Sequence, residues 1–138
     1  MKPTDVSAPV RNIAQEERNL AIVLEFYDRV FNRQDINAVK EYLVENYIQH
    51  NPTLSDGRAP LINALPKYYL DNPDLKFRFV RSAAQGDLVF LHSHRTTGAD
   101  DLGRAYVDIF RLEHGKIAEH WDVWMAVPDK SANTNTMF

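Results

Sequence analysis

Two short runs near the end of the chain carry most of its chemistry-bearing side chains: His92-Ser93-His94 and His120-Trp121-Asp122, with Tyr106 and Asp108 between them. Alternation puts every second residue of a strand on one face. The even positions of the last three strand candidates are Phe90, His92 and His94, then Tyr106, Asp108 and Phe110, then His120, Asp122 and Trp124. The odd positions are mainly aliphatic. A carboxylate among apolar neighbours has its charged form disfavoured, which brings its pKa toward working pH and makes it useful as an acid or base. An imidazole beside it can hold it, share its proton or polarise a substrate carbonyl. Aromatic rings stack on a flat ligand and exclude water. Proton abstraction next to a carbonyl needs such a base and a donor for the developing oxyanion, and needs no cofactor.

This reading depends on registry. A hairpin centred near Asp100 pairs His94 with Tyr106 and His92 with Asp108. A three-residue loop at Glu113-His114-Gly115 then pairs Asp108 with His120, and all the even residues share one face. A two-residue loop would invert the last strand relative to its neighbour. Two other readings stand beside the pocket. The even face could be the wet side of an antiparallel sheet, although Phe90, Tyr106, Phe110 and Trp124 make an expensive surface. Alternatively, His92 and His94 with Asp108 or Asp122 form a two-histidine, one-carboxylate metal set; we assign no metal.

The elements that must position these residues follow from periodicity. Ile13, Leu20, Val23, Leu24, Tyr27, Val30 and Phe31 mark an amphipathic helix from about residue 12 to residue 31. Tyr27 lies on its apolar face, where the hydroxyl wants a partner. Asp35 caps a second helix carrying Ile36, Val39 and Leu43. Tyr47 to Pro52 breaks the helical period, so Tyr47 and His50 point toward a pocket mouth or lie in a surface loop. A third helix spans about residues 58 to 69, and Pro66 should kink or split it. Strand candidates are 75–83, 88–97, 104–112 and 117–127. Helices followed by a four-stranded meander make an α+β domain.

The chain has 138 residues, enough for one core but not two. We divide it into an N-terminal arm (1–11), a single domain (12–128) and a polar tail (129–138) expected to be disordered, with Met137-Phe138 free to dock on a partner. A net charge of −3 offers no field for nucleic acid or anionic membrane. There is no cysteine, which excludes thiolate chemistry and fits a cytoplasmic location. No Gly-rich phosphate loop or GxSxG elbow is present.

Tyr47-Ile48-Gln49-His50-Asn51-Pro52 followed by Asp56-Gly57-Arg58, the strand runs Val89–Arg95 and Glu119–Val123, and the tail Ser131–Phe138 together resemble SnoaL-like proteins of the nuclear-transport-factor-2-like superfamily. The resemblance implies three helices packed on a curved antiparallel sheet of four to six strands, forming a cone-shaped pocket, usually in a homodimer packed sheet to sheet. Founding members are polyketide cyclases that run an intramolecular aldol condensation without cofactor, with an aspartate on a late strand as acid/base. Asp122 fits that motif, His94 a pocket position on an earlier strand, and His50 and Asn51 the loop motif. Trp124 and Met125 depart from the pattern, and a tryptophan on the pocket face would shrink the cavity. The superfamily also holds isomerases, dehydratases, epoxide hydrolases and non-enzymatic binders. We therefore expect a lyase or isomerase for a small carbonyl compound, with Asp122 as base assisted by His94 and Asp108. Tyr47, His50, Asn51, His92, Tyr106, Phe110, His120 and Trp124 would bind the substrate. The alternative is a pocket that binds without catalysis.

Overall fold

The computed structural model describes residues 10–138; most of the expected N-terminal arm, residues 1–9, lies outside the described residues. Helix α1, Ile13–Tyr27, starts where the Asn12 side chain accepts a hydrogen bond from the Gln15 amide at 3.1 Å. A π-helical turn, Asp28–Asn32, prolongs it to the expected end. Helix α2, Asn37–Tyr42, is tethered by Asp35, whose Oδ1 accepts from the Asn37 amide. It runs directly into strand β1, Leu43–Gln49. Helix α3, Arg58–Asp71, continues through Pro66 without the expected break; the proline sits on its exposed side.

Strands β2 (Lys76–Gln85), β3 (Leu88–Thr96), β4 (Arg104–Glu113) and β5 (Lys116–Ala126) form the expected antiparallel meander. The sheet has a fifth member that periodicity does not reveal. Strand β1 pairs parallel to β5, so the order is β1-β5-β4-β3-β2. Helices α1 and α3 cover one face. Val23, Phe26, Tyr27 and Val30 and, from α3, Leu65 form one buried cluster with Phe77, Val89, Leu91, Phe110 and Ile117 of the sheet.

Two irregularities decide which strand faces meet. The β4–β5 connection is a two-residue turn, His114-Gly115, with both residues at positive φ (49° and 75°) and Glu113 opposite Lys116. By itself that turn would put odd residues of β5 opposite even residues of β4. The ladder shifts between Arg111 and Leu112, however: Leu112 faces Ile117 while Arg111 faces Glu119, leaving Ala118 as an extra residue on β5. The bulge restores parity, and Asp108 faces Asp122 rather than the expected His120.

No such restoration occurs between β3 and β4. Ser93 faces Tyr106 and Leu91 faces Asp108, one residue away from the expected pairing. Gly103 helps hold this register. It lies at φ +80°, and a Cβ there would fall 2.1 Å from the Arg95 carbonyl oxygen, so the chain passes too close for any side chain. The odd residues of β3, Val89, Leu91, Ser93 and Arg95, are therefore the buried ones. His92 and His94 lie on the opposite, outer face. The tail returns to that outer face: Phe138 stacks on His94 with ring centroids 4.1 Å apart, with the Arg78 guanidinium over its own ring.

Candidate active site

The side chains of β1, β4 and β5 that point toward the helices surround a cavity of about 260 Å³. Phe26, Tyr27 and Phe31 of the first helical segment, Leu65 and Tyr68 of α3, and Phe77 and Phe110 of the sheet make its walls mostly apolar. Its polar groups include Tyr47, Gln49, Asn51, Asp108, His120 and Asp122. Alternation along β1 selects the first three, since Tyr47, Gln49 and Asn51 point in while Ile48 and His50 do not. A strand period in Tyr47-x-Gln49-x-Asn51 is the signal that could have found Gln49; a reading of the segment as irregular misses it.

These groups form one hydrogen-bonded chain. Gln49 Oε1 accepts from the Asn51 amide at 3.0 Å, and its Nε2 donates to the Tyr47 hydroxyl at 3.0 Å, which fixes the orientation of the amide. His120 Nδ1 lies 2.8 Å from the same Oε1 and is therefore the protonated nitrogen. On the other side of the ring, Nε2 lies 2.8 Å from Asp108 Oδ1. Two bare acceptors would repel at that distance, so one proton is shared between imidazole and carboxyl. Tyr27 completes the chain by donating to Asp108 Oδ2 at 3.3 Å, giving its hydroxyl the partner that burial requires.

Asp108 has no solvent exposure. Burial raises its pKa above the usual carboxylate range, against an opposing pull from the His120 hydrogen bond. Burial first, and the nearby Asp108 charge second, push the Tyr27 hydroxyl well above its ordinary value. Burial likewise raises Tyr47. Both phenols therefore remain donors at any working pH. Asp122 is placed differently. It is half-buried and reaches the cavity, and its two oxygens accept from Asn51 Nδ2 at 2.9 and 3.1 Å.

The remaining expected site residues scatter. Tyr106 and Phe110 line the cavity. His50 lies outside it, stacked on Trp121 at 4.7 Å and bonded to Glu119 Oε2 at 2.7 Å. His92 contacts Arg81 through Nδ1, and His94 Nε2 lies 2.8 Å from the Leu102 carbonyl oxygen. Both belong to the outer face, so neither meets Asp108 or Asp122, and the two-histidine metal set does not assemble. The cause is the single-residue difference in β3–β4 register. Trp124 keeps the inward parity but stands beyond the cavity, half-exposed, stacked on Tyr106 at 6.1 Å. It therefore does not shrink the cavity.

A different donor set does assemble. One ligand atom each from Asp108, His120 and Asp122 lies within 4.8 Å of the others, which suits a divalent cation in principle. Binding one would require the Asp108–His120 hydrogen bond to open.

Three helices on a five-stranded sheet, with a buried carboxyl–imidazole pair and a second carboxylate lining the cavity between them, define a protein of the nuclear-transport-factor-2-like fold class. The chain belongs to the SnoaL-like domain family, whose model matches residues 23–120. None of the curated proteins matches it. Solved structures share the fold. A candidate polyketide cyclase from Acidithiobacillus ferrooxidans superposes with a TM-score of 0.68 at 15% identity, over 83% of this chain and 91% of that one. A candidate ketosteroid isomerase from Kribbella flavida gives 0.69 at 20% identity, over 86% of each chain. An LEH-like epoxide hydrolase of M. tuberculosis gives 0.65 at 15%, over 80% and 85%.

Proposed function

We propose that this protein is an enzyme that moves a proton on a small carbonyl compound by acid/base chemistry within the chain's own side chains, as a lyase or isomerase. The observation that carries this reading is the pairing of two unlike carboxyls across one ladder, Asp108 buried on a shared proton and Asp122 open to the cavity. Pairs of titratable groups in contrasting environments are how a site divides acid from base.

In this reading Asp122 takes the proton from the carbon next to the carbonyl. The C–H electron pair becomes the enolate, whose negative charge falls on the carbonyl oxygen. The Tyr47 hydroxyl accepts from Gln49, and its own proton has no acceptor among the described residues, so it is free to donate to that oxygen. Protonated Asp122 then returns the proton to a different atom, or the enolate attacks a second carbonyl. Asn51 orients Asp122, while Asp108, His120 and Gln49 hold the wall behind it. The cyclase and isomerase names among the structural neighbours are compatible with either outcome.

Proton–deuterium exchange tests the reading without knowledge of the substrate. A panel of 1,3-diketones and β-keto esters in deuterated buffer, followed by nuclear magnetic resonance, should show exchange accelerated by the protein. Asp122→Asn should abolish that acceleration while keeping the urea midpoint. Equal acceleration by wild type and variant would remove Asp122 from the role. Binding of panel members without exchange would leave a ligand carrier instead.

The outer sheet face adds a proposal about assembly. Val123 and Met125 are 70% and 59% exposed there beside Val107, an apolar strip that a second copy would cover. Sedimentation should give a dimer, and Val123→Glu with Met125→Glu should give a monomer. A cytoplasmic location belongs to the same reading and is tested by cell fractionation. No helix among the described residues is long and apolar enough to cross a membrane.

A further inference from the structure

At the end of β3, Arg95 is 6% exposed on the inward side of the sheet. Its Nε donates to the Tyr68 hydroxyl at 2.9 Å and its Nη2 to Asn72 Oδ1 at 3.4 Å. Both partners are neutral, and no carboxylate among the described residues comes within ion-pair distance. A buried cation without a counter-charge is costly. The carbonyl end of α3, from which Tyr68 and Asn72 reach it, supplies roughly half a negative charge and no more.

The cost is compounded directly across the ladder, where Arg104 is the register partner of Arg95. Like charges facing each other across a pair of strands repel. Arg104 is held in place by Trp124, its guanidinium 4.0 Å from the ring centroid. The two arginines border a polar hollow of about 350 Å³ shared with Asn72, Thr97, Asp101 and Gly103. Asp101, whose pKa is lowered by hydrogen bonds from Gly103 and Thr97 and a little further by the Arg95 charge, forms no ion pair with either arginine. Its Oδ2 accepts from the Thr97 amide and hydroxyl at 2.8 and 2.9 Å, and its Oδ1 from the Gly103 amide at 2.9 Å, so the carboxylate is turned into its own loop.

We propose that this hollow binds the anionic group of a small molecule, a carboxylate or a phosphate, between Arg95 and Arg104. Planar guanidinium forks suit both groups and can grip either with paired N–H donors. A bound anion would supply the direct ion pair that Asp101, turned into its loop, does not make, and would relieve the repulsion across the ladder. The hollow is separate from the cavity at Asp122, although Tyr68, whose hydroxyl Arg95 holds, forms part of the wall of that cavity.

The test reads the arginine Nε–H resonances of the intact protein during titration with inorganic phosphate and, separately, with acetate, each against chloride at matched ionic strength. The expected result is a saturable shift of the Arg95 and Arg104 signals by one of the two anions, at least tenfold tighter than any effect of chloride. The anion that saturates names the class. Arg104→Met, which keeps an unbranched chain over Trp124 but removes the charge, should weaken that binding about tenfold, the loss expected for one charged hydrogen-bond donor. Arg104→Lys should recover part of it. Non-saturating shifts matching chloride in both arms would overturn the proposal, as would unchanged affinity in Arg104→Met. Neither outcome depends on whether Asp122 is a base.

Discussion

Asp108 and Asp122 stand opposite each other on β4 and β5 and project to the same side of the sheet, yet their environments differ in almost every respect. Asp108 is sealed behind Tyr27 and His120. Asp122 is held, among the described residues, by Asn51 alone and meets the cavity. Two carboxyls this close cannot both carry a full charge cheaply, and burial, against the opposing pull of the His120 hydrogen bond, raises the pKa of Asp108.

The first consequence is a pH dependence of stability. Asp108 binds its proton more tightly folded than unfolded, because burial raises its pKa. Between the ordinary aspartate value near 4 and the raised folded value, the native state carries more protons than the unfolded one. The contribution of this group is therefore fully present below that window and declines as pH rises through it, by about 1.4 kcal/mol for each tenfold difference in proton affinity between the two states. Asp108→Asn removes the titration and preserves the shape. Urea unfolding at a series of pH values should show wild type losing stability relative to the variant through the window. A difference that stays constant would contradict the assignment.

Asn51→Ala should act on turnover and spare the fold. The amide makes two contacts to Asp122, at 2.9 and 3.1 Å, from a partly buried position. Loss of that orientation should slow the exchange reaction about tenfold or more, while stability changes by about 1 kcal/mol or less. Exchange rates and urea midpoints measured on the same preparation separate the two effects.

Phe110 is 2% exposed and touches both the core and the pocket, with its ring 4.8 Å from that of His120 and 6.1 Å from that of Tyr27. Phe110→Ala should cost about 3–5 kcal/mol. Denaturant unfolding at neutral pH reads this directly; a cost under about 1 kcal/mol would mean that the walls collapse to refill the space.

Gly103→Ala tests the register that separates the two histidines from the site. The new methyl would collide with the Arg95 carbonyl oxygen and also force a strained backbone, for which about 1–3 kcal/mol is a typical cost. Either the domain is destabilised by that order or β3 slips. Cross-strand nuclear Overhauser contacts between Ser93 and Tyr106 distinguish these outcomes, and their presence in the wild type is itself required.

Much of the scaffold was legible because it is local. Asn12 before an apolar 3.6-residue period marks the start of α1, and four alternating runs mark β2 to β5 to within about two residues of their observed ends. Strand β1 was not legible. It follows α2 without a break, is short, and alternates Tyr47, Gln49 and Asn51 with polar or mixed neighbours, so no hydrophobic period announces it. Its strand character comes from pairing with β5, a contact between residues about 70 positions apart in sequence.

The site divides along the same line. Residue types and strand period alone established that Asp108 shares a face with Tyr106 and Phe110, and that His120 shares one with Asp122. Which face met which was decided only in three dimensions, by the bulge at Ala118 and the close passage of Gly103 under Arg95. One brought Asp122 in beside Asp108, and the other turned His92 and His94 out. A strand has a side-chain period of two, so a slip of one residue inverts every side chain it carries. That slip is set by turns and bulges whose preferred geometry depends on the neighbouring strand being there.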